Sequence, residues 1–132
     1  MTEISIFLDI PEIAVLGVER TKQGGYHITV SSTNKGTHCR KCGKFIEKFH
    51  GYDKEIVLRH LPILDNEVYI HIKPQRFQCP YCTDKSTTTQ KSSWYSTRSP
   101  YTKAYEEYLL RCLINTTIED VSIKENIGAM NQ

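Results

Sequence analysis

The chain has 132 residues, of which 39% are hydrophobic and 24% charged; this is a globular composition, long enough for one ordinary domain or two very small ones. No apolar run approaches the roughly 20 residues of a membrane helix, so no membrane partner is expected. The net charge is only +2, but residues 35–103 hold thirteen Lys or Arg against six Asp or Glu, and the remainder holds four against nine. A basic segment commonly meets the phosphates of nucleic acid; the alternative is an unevenly charged, solvated surface.

The N-terminal third predicts a β-hairpin. Residues 3–9 fit either a short helix or a strand, and residues 12–20 read as a strand. A turn signal with two glycines follows at residues 21–25, and residues 26–31 then alternate, with Tyr26, Ile28 and Val30 on one face. Because the N-terminus lacks a basic leader and a long apolar core, we expect no signal peptide and a cytoplasmic location.

Two C-x-x-C pairs dominate the middle of the chain: Cys39 with Cys42, and Cys79 with Cys82. Two residues between the members of a pair let both thiolates reach one ion from a tight turn, and two such turns complete a tetrahedral shell of four sulfurs. Gly43 suits the positive φ that closes the first turn, and Pro80 presets φ in the second. The spacing therefore predicts one structural Zn²⁺.

Three other interpretations of the cysteine pairs remain. Disulfides form in oxidising compartments, and because we expect no secretion of this chain, its thiols should stay reduced. A thioredoxin-like redox centre would use one C-x-x-C in a βαβ context rather than two around a hairpin. Iron can also occupy four sulfurs, and Gly43 suits a rubredoxin-like turn, although Thr83 does not repeat it.

The stretch between the pairs predicts two strands. Residues 54–61 read as one strand that Pro62 ends, and residues 65–66 form a turn signal. Residues 67–73 alternate as a second strand, with Val68, Ile70 and Ile72 facing inward. We expect the two cysteine turns to be joined by this small antiparallel sheet, whose folding would depend largely on the metal.

The last third predicts a linker and then helices. Residues 83–93 contain no apolar residue and read as a mobile loop, after which residues 94–95 could dock. Ser99 can cap a helix and Pro100 suits its first position. The helix would carry an apolar stripe for core packing, in which Cys112 is a hydrophobe rather than a fifth ligand. The stripe comprises Tyr101, Tyr105, Tyr108, Leu109, Cys112 and Leu113.

A second short helix is expected from about residue 118 to 126. Thr116 and Glu119 resemble a capping box, and Gly128 can end the helix. A helix-turn-helix begins with two helices separated by a short break, as predicted here. The predicted fold is therefore α+β: a small antiparallel β zinc-ribbon-like domain, preceded by a β-hairpin and followed by two helices that begin a helix-turn-helix. We expect a β-rich zinc-binding domain at residues 1–98 and an incomplete helical segment at residues 99–132.

The chain from about residue 37 to 128 resembles the N-terminal region of ISL-three-type bacterial insertion-sequence transposases. The match rests on the two cysteine pairs with Gly43, on residues 50–51, 59–63 and 76–77, and then on residues 102–104 and 120–121. The resemblance implies a DNA-binding part made of a zinc region and a helix-turn-helix, followed by an RNase H-like catalytic domain. That domain is not in these 132 residues, so we expect a truncated or excised transposase without enzymatic activity of its own.

The resulting hypothesis is a zinc module that binds double-stranded DNA at the ends of a mobile element during transposition. Arginines are the better candidates for base edges and lysines for phosphates. The candidate contacts are Arg40, Lys41, Lys44, Arg59, Lys73 and Arg76. His50 is either a packing residue or a phosphate contact. A homo-oligomer is allowed, and a small-molecule substrate is not expected.

Two alternatives belong to other classes. A zinc-ribbon protein–protein interaction module without its own DNA binding would expose a sizeable apolar patch. An enzyme is the weaker alternative, because a catalytic zinc keeps an open coordination position and four cysteines close it.

Overall fold

The computed structural model describes residues 8–115, which are mostly β-structure with one helix. The strands are β1 (Ile13–Arg20), β2 (Tyr26–Ser32), β3 (Thr37–His38), β4 (Phe45–Ile46), β5 (Lys48–Tyr52), β6 (Ile56–Ile63), β7 (Asn66–Ile72), β8 (Gln75–Gln78) and β9 (Thr87–Thr89), and the helix is α1 (Lys103–Asn115). Among these residues no helix has the length and apolar character needed to cross a bilayer.

Four strands form a mixed sheet in the order β1-β2-β7-β6. Strands β1 and β2 form the predicted hairpin, β6 and β7 form a second one, and parallel pairing of β2 with β7 joins the two. We call residues 8–34 and 55–72, which contain this sheet, the sheet region. The expectation that β6 and β7 would be the ribbon between the cysteine turns is therefore wrong. These strands leave the cysteines and extend the N-terminal hairpin.

The sheet region is held by an apolar core on one face. Ile28, Val68 and Ile70 have no exposed surface, and Val30 and Ile72 are each 2% exposed. This is the alternation that the sequence predicted for both strands, so those faces are confirmed. Because β2 and β7 lie side by side, their apolar faces merge into one core, which Leu8 and Leu58 complete. Burying this continuous face is the physical reason why β7 pairs with β2.

The remaining strands surround the cysteines. Strands β3 and β4 form a two-stranded sheet, and β5, β8 and β9 form a three-stranded antiparallel sheet in that order. We call residues 35–54 and 73–91 the cysteine region. Its core is small: Ile46 and Phe77 are buried together with Cys39 and Cys79.

The polar run at residues 83–93 was predicted to be a mobile loop, and that prediction is wrong. Residues 87–89 form β9, which pairs with β8. Thr88 and Gln90 are buried, and the Gln90 side-chain amide donates to the carbonyls of Asn34 and Gly36. Polar residues can form an ordered strand here because their side chains find backbone partners.

Residues 94–102 return the chain to the sheet region. Trp94 and Tyr95 are buried in its core, as predicted. The helix was expected to begin at Ser99 and Pro100, but it begins at Lys103. The N-cap is Thr102, whose hydroxyl oxygen accepts a hydrogen bond from the Tyr105 amide at 3.2 Å. Ser99 instead stabilises the preceding turn by accepting from the Tyr101 amide.

Helix α1 packs against β6 through its apolar stripe. Tyr105 is fully buried, Tyr108, Leu109 and Cys112 are half-buried, and Leu113 is 39% exposed. The second helix predicted at residues 118–126, with its capping box and terminal glycine, lies outside the described residues. The described residues are mostly β-structure with one helix, which confirms the β-rich part of the predicted fold, whereas the two helices and the helix-turn-helix are not supported. The domain boundary at residue 98 stays a prediction.

Candidate metal centre

The first cysteine turn closes tightly after β3. The Gly43 amide donates to the Cys39 carbonyl at 2.9 Å, and the Cys39 amide donates to the Lys44 carbonyl at 2.8 Å. Gly43 has a φ of 77°, which confirms the left-handed conformation expected of it. The Lys41 amide points at the Cys39 sulfur from 3.4 Å. An amide in this position stabilises a thiolate by donating to it.

The second cysteine turn is longer and leads into β9. The Lys85 amide donates to the Cys82 carbonyl at 3.1 Å, and the Cys79 amide donates to the Ser86 carbonyl at 2.9 Å. The positive φ of this turn, 50°, falls at Lys85 rather than directly after Cys82. The two turns therefore place their sulfurs equivalently by different backbone paths. Because the second turn has its positive φ at Lys85, it needs no glycine directly after Cys82, and Thr83 occupies that position.

The two turns bring four sulfurs together. The Cys39 and Cys82 Sγ atoms are 3.8 Å apart, the Cys42 and Cys79 Sγ atoms are 3.6 Å apart, and all four lie within 4.8 Å of one another. A tetrahedral zinc with bonds of about 2.3 Å separates its sulfurs by about 3.8 Å. All described cysteines are free, so the disulfide interpretation is not realised. The set fits one structural Zn²⁺ with no open coordination position.

The electrostatics of the cluster also fit a cation. The backbone amides of Cys42 and Lys41 lower the pKa of Cys39 to about 5. At Cys82 a hydrogen bond from Ser86 lowers the pKa, but the neighbouring Cys79 sulfur and burial outweigh it and raise the pKa to about 12. Four adjacent sulfurs cannot all ionise without a positive charge among them, because each thiolate repels the next. A divalent metal removes that obstacle and binds by displacing the protons.

Two predicted DNA-contacting arginines converge on β9. The Arg40 Nε donates to the Thr87 carbonyl at 2.9 Å, and the Arg76 Nη2 donates to the Thr87 hydroxyl at 2.8 Å. Arg40 is exposed and Arg76 half-buried. Asp53 lies near Arg76; a hydrogen bond from Thr89, and then the Lys54 amide and the Arg76 charge, lower the pKa of this carboxyl. Sequence reasoning missed β9 as the element that brings the two guanidinium groups together.

The predicted lysines lie on the surface of the cysteine region. Lys41 forms an ion pair with Asp84, and the Lys44 ammonium lies 4.7 Å from the centroid of the Tyr81 ring. Lys73 is exposed at the entry to β8. His50 is exposed on β5, so the packing interpretation of this residue does not fit.

Arg59 differs from the other predicted contacts. It lies on β6 in the sheet region and is only 8% exposed. Its guanidinium carbon is 5.0 Å from the Tyr105 ring centroid and 5.6 Å from that of Tyr69. The side chain thus stacks between the sheet and the helix and is not part of the exposed basic surface.

Four cysteine sulfurs within 4.8 Å of one another, carried by two turns of a small β-structure, form a zinc-ribbon-like site. Residues 35–82 match the family model for the zinc-finger of transposase IS204/IS1001/IS1096/IS1165. The predicted resemblance to these transposases is confirmed over this stretch. The match does not extend to residues 102–104 or 120–121. Searches of curated proteins and of solved structures gave no match.

Proposed function

We propose that the chain is a DNA-binding zinc module that recognises the double-stranded ends of a mobile element during transposition. The observation that carries this proposal is the pair of guanidinium groups at Thr87, beside the metal centre. The family match to a transposase zinc finger supports it independently. The centre itself has a structural role, since four thiolates leave zinc no position for substrate. We therefore propose no catalytic activity for this module.

Charge favours the cysteine region as the DNA-facing part. It holds ten Lys or Arg against three Asp or Glu, whereas the sheet region holds three against six. Lysines and arginines on such a surface displace condensed counterions from DNA, which makes binding strongly salt-dependent. An arginine fork can also grip guanine with two hydrogen bonds in the major groove. Arg40 and Arg76 are the proposed base-reading candidates, and Lys41, Lys44 and Lys73 the proposed phosphate contacts.

The test is fluorescence anisotropy with zinc-loaded protein, the DNA flanking its own gene and a scrambled duplex, over a salt series. Arg76→Ala should weaken specific binding by roughly 1–3 kcal/mol if this residue reads a base. Each lost phosphate contact should instead lower the salt slope by about 0.9 on both duplexes. Arg20→Ala is the matched control, because Arg20 is an exposed arginine of the sheet region.

Unchanged affinity for Arg40→Ala and Arg76→Ala on both duplexes would contradict the proposed site. An equal loss on the flanking and scrambled duplexes would limit the module to backbone affinity.

A second candidate function, a protein–protein interaction module, is favoured by the exposed aromatic rings of the cysteine region. Phe45, Phe49, Tyr52 and Tyr81 are each about half exposed. A stable dimer in solution with no salt-sensitive DNA binding would support this candidate and overturn the first. The homo-oligomer and the cytoplasmic location stay predictions.

A further inference from the structure

Exposed apolar side chains of different kinds occupy different parts of residues 8–115. The four large aromatic side chains that are exposed all belong to the cysteine region, at 48–60% exposure. The exposed aliphatic side chains belong to the sheet region and the helix: Leu16, Val18, Val57, Leu64, Leu110, Leu113 and Ile114. The more basic region is thus also the region with exposed rings.

Two of these rings are brought together by a bulge in β5. In a regular strand, residues three apart point to opposite faces. Here Phe49 pairs with Phe77 and Tyr52 with Gln75, so the extra residue places Phe49 and Tyr52 on one face. Gly51 allows this with a φ of 93°. The Phe49 and Tyr52 ring centroids are 5.2 Å apart at 72°.

The aromatic pair is anchored on one side and open on the other. The Phe49 ring meets the buried Phe77 ring edge-on at 6.2 Å, which fixes its position against the small core. Phe49 is nevertheless 48% exposed and Tyr52 58% exposed. A ring held from behind with an accessible surface can stack on another flat group at little entropic cost.

The aromatic pair lies in a basic region, although the charges next to it in sequence balance. Exposed Glu47 and Lys48 come before Phe49, and exposed Asp53 and Lys54 come after Tyr52. Asp53 is occupied by a hydrogen bond from the Thr89 hydroxyl, and the cysteine region as a whole holds ten Lys or Arg against three Asp or Glu. Protein interface cores are depleted in lysine, whereas surfaces that bind single-stranded nucleic acid combine basic side chains with stacking rings. The charge pattern therefore favours a polyanion with accessible base faces over an apolar protein partner.

We propose that the Phe49–Tyr52 pair binds unpaired bases of single-stranded DNA by stacking, while Lys54 and other basic side chains of the cysteine region contact the phosphates. The inference builds on the proposed DNA-binding function and extends it to a second form of DNA. In a duplex the base faces are covered by their neighbours, so these rings can stack only on a base that is unpaired. The site thus distinguishes separated strands from intact duplex.

The test is anisotropy of the full chain with a labelled oligothymidine and with a labelled blunt duplex of equal length. Tyr52→Ala should weaken oligothymidine binding about 5- to 150-fold, the range for losing one stacked base. Tyr52→Phe keeps the ring and should bind within about twofold of the wild type. Leu16→Ala removes an exposed apolar side chain of the sheet region and should change neither affinity. Zinc content and far-ultraviolet dichroism confirm that each variant is folded.

Gly51→Ala provides a second route that removes no ring. An alanine at this φ is strained, so the bulge should shift and separate the two rings. Oligothymidine binding should then weaken while zinc content stays at one ion per chain.

Unchanged oligothymidine affinity in Tyr52→Ala would overturn the inference, as would an equal loss on oligothymidine and duplex. The two proposals fail separately. If Arg40→Ala and Arg76→Ala leave duplex affinity and its salt dependence unchanged, the duplex proposal is contradicted. Ring-dependent binding of oligothymidine would still support the present proposal. Capture of a second protein chain through Tyr52 without oligothymidine binding would also overturn it.

Discussion

The sheet region and the cysteine region are stabilised in different ways. In the sheet region, two hairpins merge their apolar faces into one core of fully buried Ile and Val side chains. In the cysteine region, the apolar core consists of little more than Ile46 and Phe77, and the metal site formed by four sulfurs provides the remaining stabilisation. The region with the small core is also the basic one. A metal allows it to fold while its surface stays available for charged and aromatic side chains.

The two regions are interleaved in the sequence. Strands β6 and β7 lie between the cysteine pairs, yet they belong to the sheet region. The sheet region therefore holds the ends of β5 and β8 near each other, and the metal fixes the turns beyond them. We therefore expect that loss of the metal unfolds only the cysteine region and that a cavity in the apolar core destabilises only the sheet region.

The largest effect is expected on removal of a metal ligand. Cys39→Ser, or chelation, should unfold the cysteine region, because structural zinc sites contribute apparent binding free energies of about 10–16 kcal/mol. The buried Trp94 belongs to the core of the sheet region, so its fluorescence should remain close to native. Zinc analysis and residue-resolved hydrogen exchange measure the two regions separately. Cys112→Ser is the control and should retain the metal, because Cys112 is outside the cluster.

A cavity in the sheet region should produce the opposite pattern. Ile70 has no exposed surface, and Ile70→Ala should lower the free energy of unfolding by about 2–5 kcal/mol. Denaturant unfolding followed by Trp94 fluorescence measures this loss, and Val57→Ala on the exposed face should change it by less than about 0.5 kcal/mol. Loss of zinc from folded Ile70→Ala at neutral pH would show that the regions are not independent.

A pH effect should arise at His60, which links the sheet to the helix. Its ring lies 2.8 Å from the Leu8 carbonyl and 2.7 Å from the Thr102 hydroxyl. Because the carbonyl can only accept, Nε2 donates to Leu8, and the unprotonated Nδ1 accepts from Thr102. Burial lowers the pKa of His60 below its ordinary value of 6.5.

The unfolded chain therefore takes up this proton more readily than the folded one. The neutral His60 side chain contributes fully to stability above about pH 6.5. This contribution declines as the pH falls below that value, by at most about 1.4 kcal/mol per pH unit. The comparison is with His60→Gln between about pH 5 and 6.5, where acid release of zinc is common to both proteins. Identical slopes would show that His60 is not held neutral by its surroundings.

The smallest effect is expected at the ion pair of Lys41 with Asp84, which links the two cysteine turns. Both side chains are about half exposed, at 46% and 52%. Lys41→Ala should therefore change the free energy of unfolding by no more than about 1 kcal/mol. If Lys41 also contacts phosphate, the salt slope of duplex binding should fall while stability hardly changes. A loss of several kcal/mol would mean that this pair, and not the metal alone, organises the turns.

Local patterns made part of this molecule predictable. Alternation identified the buried faces of β2 and β7, since a strand with one covered face must alternate. The cysteine spacing identified the ligands, because two residues between thiolates set the size of the turn. Trp94 and Tyr95 were identified as the point where the chain docks again, as they end a run of 11 residues without apolar side chains.

Other features depend on contacts that the sequence does not display. Nothing in residues 26–32 specifies a parallel partner, and β7 was assigned to the cysteine ribbon because it is next to the cysteines in sequence. Strand β9 is polar, and its order depends on hydrogen bonds to distant carbonyls. Arg59 reads as a surface cation until Tyr69 and Tyr105 are seen around it. The helix cap at Thr102 was missed because Ser99 and Pro100 form an equally good local signal.

Zinc should fold the basic surface that we propose binds DNA. The most direct measurement is the salt dependence of anisotropy with the flanking duplex, for zinc-loaded and zinc-stripped protein side by side. We expect a steep salt dependence with zinc and a loss of affinity on stripping, which added zinc restores. The Trp94 fluorescence should show an intact sheet region throughout. Equal binding by the stripped protein with its cysteine region unfolded would contradict this expectation.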